Sequence, residues 1–296
     1  MRRTLAFAAG ALAARAALRA LGSPEPLRRT NFRGRTVTLA GGPALAAGAS
    51  IAAAAGAPSP AAAAAALTAG LGSGAVGLYD DVVGARPEQK TAKGFAGHLA
   101  ALREGRVTSG LVKVAGVGAA GLAASALLAA DPGRRRPASR AGKVADVLLG
   151  AGVIAGTANL LNLFDLRPGR ALKAGALLAT PLLTPRHTPM IKASLKSLER
   201  REGRLDHGGI AAGALGAAAA VLPDDLGERV MLGDCGANAY GALLGVALAA
   251  RTGPVGRAAA LAGLVALTAA SEKVSFTAVI ARTPGLRELD ALGRQT

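Results

Sequence analysis

"PAAAAAALTAGLGSGAVGLYDDVVG", residues 60–84, decides the fold. From Ala61 to Tyr79 no residue is charged and most are Ala, Gly or Leu. About 20 such residues, wound into a helix, cross the roughly 30 Å hydrocarbon core of a bilayer. The run then ends in two adjacent carboxylates, Asp80 and Asp81. Their charges repel, and the negative end of a helix finishing there adds about 0.3 to 1 kcal/mol of penalty per acid. A membrane helix that carries two such groups to its edge needs a positive partner from elsewhere.

The rest of the chain repeats the apolar pattern. Of its 296 residues 51% are hydrophobic and only 18% charged, and an interior dominated by Ala and Gly suits close helix packing in lipid better than a soluble core. The sequence therefore reads as an all-α polytopic integral membrane protein, a single transmembrane domain over residues 1–296 with about nine or ten transmembrane helices. Spans are expected near 4–21, 37–57, 60–79, 108–130, 144–164, 170–184, 207–223, 236–250 and 256–281. The stretch 1–21 has the basic start of a signal peptide, but Arg15 and Arg19 interrupt its apolar core and no small-residue cleavage site follows. It reads as an uncleaved first span. The single Cys235 excludes an intramolecular disulfide. A net charge of +17 suits nucleic acid, an anionic membrane surface or phosphorylated substrates. With 2% aromatic residues there is little to stack on bases, so no nucleic-acid partner is expected.

Span parity then gathers the acids. The run ending at residue 79 delivers Asp80 and Asp81 to one face; the span 144–164 returns to that face and ends at "NLLNLFDLRPG", residues 159–169, with Asp165. Two spans later "LPDDLGERVMLGDCGAN", residues 222–238, brings Asp224, Asp225, Glu228 and Asp234 to the same face. The connection 22–36 and the tail from Thr283 belong there too, whereas "DPGRRRPASRAGK" (131–143) and "PRHTPMIKASLKSLERREGRLD" (185–206) lie opposite. Lys and Arg divide almost evenly between the two sets of loops, so the positive-inside rule does not orient the protein.

Asp224 and Asp225, flanked by Pro and Gly, read as solvated turn acids. Asp80, Asp81, Asp165 and Asp234 differ because each stands at the edge of an apolar span. Acids clustered at a membrane boundary favour a hard divalent cation, and Mg2+ in such a place keeps waters and bridges to substrate phosphates. Asn159 and Asn162 share a helix face, and Asn162 and Asp165 repeat the same spacing, which aims amide and carboxylate at one site. Arg33, Arg35, Lys90, Lys93 and Lys113 are available for phosphate or for lipid headgroups. His98 lies on the acidic face and reads as surface structure, His187 and His207 fall opposite, and residues 190–203 read as an amphipathic interfacial helix.

"GLYDD" (77–81), "ANLLNLFDLRPG" (158–169) and "MLGDCGANAYGALLG" (231–245) resemble, in order and spacing, the three signature regions of the polyprenyl-phosphate N-acetylhexosamine-1-phosphate transferase family. "RRTNFRGRTVTLAGGPA" (28–44) is similar to the family's first cytoplasmic loop, and "SEKVSFTAVIARTPGLRELDALGR" (271–294) to its last span and loop. The resemblance covers nearly the whole chain. It implies a multi-pass protein of the cell (plasma) membrane with its active site on the cytoplasmic face, which passes a sugar 1-phosphate from a UDP-sugar to a polyprenyl phosphate lipid and releases UMP, with Mg2+ as cofactor. Asp80 and Asp81 match the family's adjacent aspartates, one of which deprotonates or positions the lipid phosphate. Asp234 matches the Mg2+-binding aspartate. Asn162 and Asp165 match its Asn-x-x-Asp at the nucleotide and metal site, which makes Asp165 both a catalytic and a metal candidate; Asn159 joins Asn162 as a substrate-binding candidate. Lys113 is placed with a phosphate-holding lysine. A homodimer is one assembly the sequence leaves open.

Two departures stand out. Leu166 and Pro168 occupy places where the family carries Gly and a second Asp, and the C-terminal loop has no histidine where the family has a His-rich cluster. They keep open an alternative, a catalytically degenerate member that acts as a membrane scaffold. A transporter would place its acids at mid-membrane, and here they stand at span ends. The dense Asp and Gly run of a CDP-alcohol phosphotransferase is absent.

Overall fold

Serine, threonine and proline punctuate the chain, and several helices begin where they stand. The computed structural model describes residues 1–86, 94–133, 139–184 and 206–295. In it α1 spans Arg2–Leu21, followed by a hairpin of β1 (Arg28–Thr30) and β2 (Thr36–Thr38) paired antiparallel. Then come α2 (Gly41–Gly56), α3 (Pro60–Val83), α4 (Gly94–Arg103), α5 (Ser109–Ala130), α6 (Arg140–Phe164), α7 (Arg170–Leu183), α8 (Gly208–Leu226), α9 (Gly233–Arg251), α10 (Pro254–Ser271), α11 (Phe276–Arg282) and α12 (Leu286–Ala291). The hydroxyl oxygens of Ser59, Thr108 and Ser139 accept the Ala62, Leu111 and Gly142 amides at 3.1, 3.2 and 3.0 Å, capping α3, α5 and α6. Each cap satisfies one of the amides that a helix start leaves without an internal partner.

The protein is all-α apart from the hairpin and one bridge from Thr38 to Val230 among the described residues. Six of the described helices, α1, α3, α5, α6, α8 and α10, are long and apolar enough to cross a membrane. The expectation of nine or ten spans is thus met only in part. Each expected span falls on a helix, but α2 and α7 have only 16 and 14 residues. Asp234, Asn238 and several glycines dilute α9. That dilution is tolerable because α9 is the central element, buried along nearly its whole length and packed against α2, α3, α6, α7 and α8. The run expected at 256–281 is broken, since α10 ends at Ser271 and Ser275 caps a new helix. Residues 37 and 38 belong to the hairpin rather than to a span.

One apolar core runs through α1 to α3 and α5 to α9, built largely of alanine with Leu45, Ile154, Leu161, Leu172, Ile210, Leu243 and Leu244. Where helices touch, glycine admits the neighbouring backbone. A Cβ on Gly10 would overlap the carbonyl of Gly213, one on Gly216 that of Phe7, and one on Gly209 that of Gly56. These contacts bind α1, α2 and α8 at distances that only hydrogen side chains allow.

Several charges among these helices are paired. Arg15, which interrupts the first apolar run, reaches Asp224 at the end of α8, and Asp224 also accepts from Arg229 at 2.8 Å. Asp224 and Asp225 are therefore buried helix residues, and their reading as turn acids is corrected: α8 continues through Pro223 to Leu226. Between α6 and α10, Arg257 donates to the Asp146 carboxylate at 2.6 Å and to the Asp146 and Thr252 carbonyls, both side chains less than 8% exposed. Arg257→Leu is expected to destabilise the protein by about 3 to 5 kcal/mol, and pairing it with Asp146→Leu to restore most of the loss, because the cost lies in the orphaned carboxylate. Thermal unfolding of the single and double variants in one detergent measures the difference.

Candidate active site

Four helix ends converge at one face of the bundle. The last turn of α3 supplies Asp80 and Asp81, the first turns of α5 supply Ser109 and Lys113, α6 ends on Asp165, and α9 begins with Gly233, Asp234 and Cys235. The Lys113 ammonium stands between two carboxylates, 2.8 Å from Asp80 Oδ2 and 2.6 Å from Asp234 Oδ2. It is the positive partner that residues 60–84 lacked. Ser109, one turn before Lys113 on α5, also hydrogen-bonds Asp80.

Asp81 turns the other way. Its Oδ1 accepts the Asp234 amide at 3.0 Å and its Oδ2 the Cys235 amide at 2.9 Å. Two successive amides at the start of α9 thus face the Asp81 carboxylate, where the positive end of the helix dipole adds to the attraction. Gly233 has φ +58°, and a Cβ there would press on the Asp81 oxygens at 2.7 and 2.8 Å. Gly77, one turn before Asp81, is closed the same way by the Asp234 carbonyl. Burial, and after it the like charges of Asp225, Asp234 and Asp81, push the Asp165 carboxyl well above the ordinary carboxylate range.

Beside Asp165 opens a cavity of about 190 Å3 between the hairpin, the turn after α6 and the segment joining α8 to α9. Asp165, Asp225, Glu228, Asn31 and Phe32 are among its walls. Glu228, buried and in the left-handed region at φ 54°, is held by Arg33 at 3.3 Å and Asn31 at 2.6 Å. Arg167 lies over the Phe32 ring, 4.2 Å from its centre, a cation–π arrangement that fixes both side chains.

The C-terminal helices close around this rim. Arg170 donates to both Asp290 oxygens at 2.8 and 2.9 Å and to Thr277, Arg294 donates to Asp290 and to the Pro168 carbonyl, and Lys173 caps the end of α12 through three carbonyls. Burial works against the charge on Asp290, but the Arg170 and Arg294 hydrogen bonds outweigh it and hold its carboxyl below the ordinary range. Arg33 reaches the Gln295 carbonyl, which joins the hairpin to the tail. The loops that parity assigned to one face do meet there.

Of the residues singled out from sequence, Asp80, Asp81, Lys113 and Asp234 form one contact group, with Asp165 beside it. Asn159 points away: its amide donates to Thr268 of α10 at 3.1 Å. Asn162 is half-buried one turn before Asp165. Lys90, Lys93, His187 and the 190–203 segment lie outside the described residues, as does the side chain of His98. Sequence reasoning passed over Asp225, whose carboxylate accepts the Gly169 amide at 2.6 Å and lines the cavity. A helix continuing through Pro223 hid it. Among the described residues no three Asp, Glu, His or Cys side chains stand ready-made as metal ligands. Compared with known proteins, the sequence matches no family model and no curated protein.

Proposed function

We propose that this chain is a membrane transferase that passes a sugar 1-phosphate, with an N-acetylhexosamine as the sugar, from a UDP-sugar to a polyprenyl phosphate. Release of UMP completes what would be the first membrane step of a cell-envelope glycan pathway, at the cytoplasmic face of the cell membrane. The observation that carries the reading is the gathering of Asp80, Asp81, Lys113, Asp165 and Asp234 from four separate helix ends beside a cavity. Residues 77–81, 158–169 and 231–245, the three signature regions of the family resemblance, supply all of them except Lys113.

In this reaction an oxygen of the lipid phosphate attacks the phosphorus that bears the sugar, and the bond to UMP breaks. Both partners are anions, so catalysis rests on positioning and on neutralising charge. Lys113 would trade its contacts with Asp80 and Asp234 for substrate phosphate, as a mobile ammonium can. Asp80, whose partners are side chains rather than backbone, would receive the lipid-phosphate proton or fix that phosphate in place. The cavity, with Phe32, Asn31 and carboxylate acceptors, suits the nucleoside. The donor set fits Mg2+ in kind, being hard oxygens with an excess of negative charge, although Lys113 now fills the space between two of them. Held by Asp234 and Asp165, the ion would neutralise the diphosphate.

Purified protein in lipid nanodiscs, given polyprenyl phosphate, Mg2+ and a panel of labelled UDP-sugars, is expected to move label into the lipid phase with stoichiometric UMP. EDTA and Asp234→Asn should each abolish the transfer. Folded protein that is inactive across the whole panel would overturn the enzyme and leave the scaffold.

A further inference from the structure

The two adjacent aspartates cannot serve alike, because they face different kinds of partner. Asp80 meets the side chains of Lys113, Ser109 and Asp234. The Asp81 carboxylate is held by backbone: both of its oxygens accept from successive amides of α9, while its main-chain carbonyl accepts from the Arg29 side chain. We propose that Asp81 is a positioning residue, which caps α9 from the neighbouring helix α3 and thereby fixes where Asp234 stands, while Asp80 is the aspartate that meets substrate. The catalytic half of this statement rests on the transfer reaction proposed above; the capping half does not.

The geometry is specific. The residues before α9 offer no cap of their own: Leu232 precedes the helix, and its side chain cannot accept an amide. Asp81 supplies the missing acceptors from outside, for the second and third amides together. Gly233 and Gly77 are the two places where any larger residue would drive Asp81 and the start of α9 apart. The Asp234 and Cys235 amides both go to Asp81 and not to Asp80.

Hydrogen exchange read by mass spectrometry over residues 231–240, on protein in nanodiscs without substrate, tests the capping directly. Asp81→Asn keeps one acceptor of two and is expected to speed exchange at the Asp234 and Cys235 amides about 5-fold, the effect of a lost cap, while Asp80→Asn leaves that segment at the wild-type rate. Unchanged exchange in Asp81→Asn, or equal acceleration in both variants, would overturn the proposal. Should Asp81→Asn fail to fold, Asp81→Ser, which also keeps one acceptor, serves in the same comparison. The transfer assay gives the second readout: Asp81→Asn should lower kcat in step with the faster exchange, and Asp81→Glu, which keeps both acceptors, should recover part of each loss. Full transfer by an Asp81→Asn protein whose exchange is faster would refute the positioning role. Protein with no transfer on any sugar but with exchange faster only in Asp81→Asn would retain the cap and discard the reaction.

Discussion

Lys113→Met is expected to reduce transfer by about 100-fold or more, the size of effect seen when one group that stabilises developing charge is removed. The same substitution should lower stability by about 2 kcal/mol. It leaves Asp80 and Asp234 facing each other with no cation between them, and the loss falls below that of a fully buried pair because the two carboxylates are still 13% and 23% exposed. A companion result separates charge from shape. Millimolar Mg2+ should raise the unfolding temperature of Lys113→Met more than that of the wild type, since the ammonium no longer competes for the same oxygens. Equal Mg2+ responses in the two proteins would show that Lys113 and the cation do not share a place.

Gly216→Ala is expected to destabilise the bundle by about 3 kcal/mol or to prevent its assembly, although it adds a single methyl group. That methyl would overlap the Phe7 carbonyl, and α1 cannot retreat because Gly10 and Ala14 are in turn closed against α8 and α2. Gly263→Ala on α10 provides the control. Its Cβ would meet nothing within 4 Å, and the better helix propensity of alanine should leave stability unchanged or slightly raised. Size-exclusion profiles and thermal unfolding in one detergent compare the two. A Gly216→Ala protein as stable as Gly263→Ala would mean that α1 and α8 are not in backbone contact.

Much of this architecture is legible in the sequence because it follows from length and polarity. Long, mostly apolar runs rich in Ala, Gly and Leu mark α1, α3, α5 and α6, and parity alone brings Asp80, Asp165 and Asp234 to one face. What the sequence hides depends on contacts between distant residues. Arg15 reads as an interruption in the first span until Asp224 is found beside it. Asp225 reads as a turn residue because Pro and Gly surround it, whereas α8 absorbs the proline and carries the acid into the cavity wall. Asn159 has the spacing of a site residue, yet the rotation of α6 gives it to Thr268. The different duties of Asp80 and Asp81 depend on which oxygen meets a backbone amide, and no periodicity encodes that.

The glycine and alanine packing of α1, α2 and α8 bears on how such a chain diverges. Interiors built of large side chains absorb substitution by repacking, one rotamer giving way to another. Here backbone lies on backbone, and alanine and glycine have no rotamers to give. Those helices form a locked interior in which nearly every change of volume is felt at once. Freedom to vary is left to the hairpin, the turn at residues 165–169 and the C-terminal helices, the parts that rim the cavity. Related chains that differ in what they admit would differ at that rim, around a bundle that can hardly change.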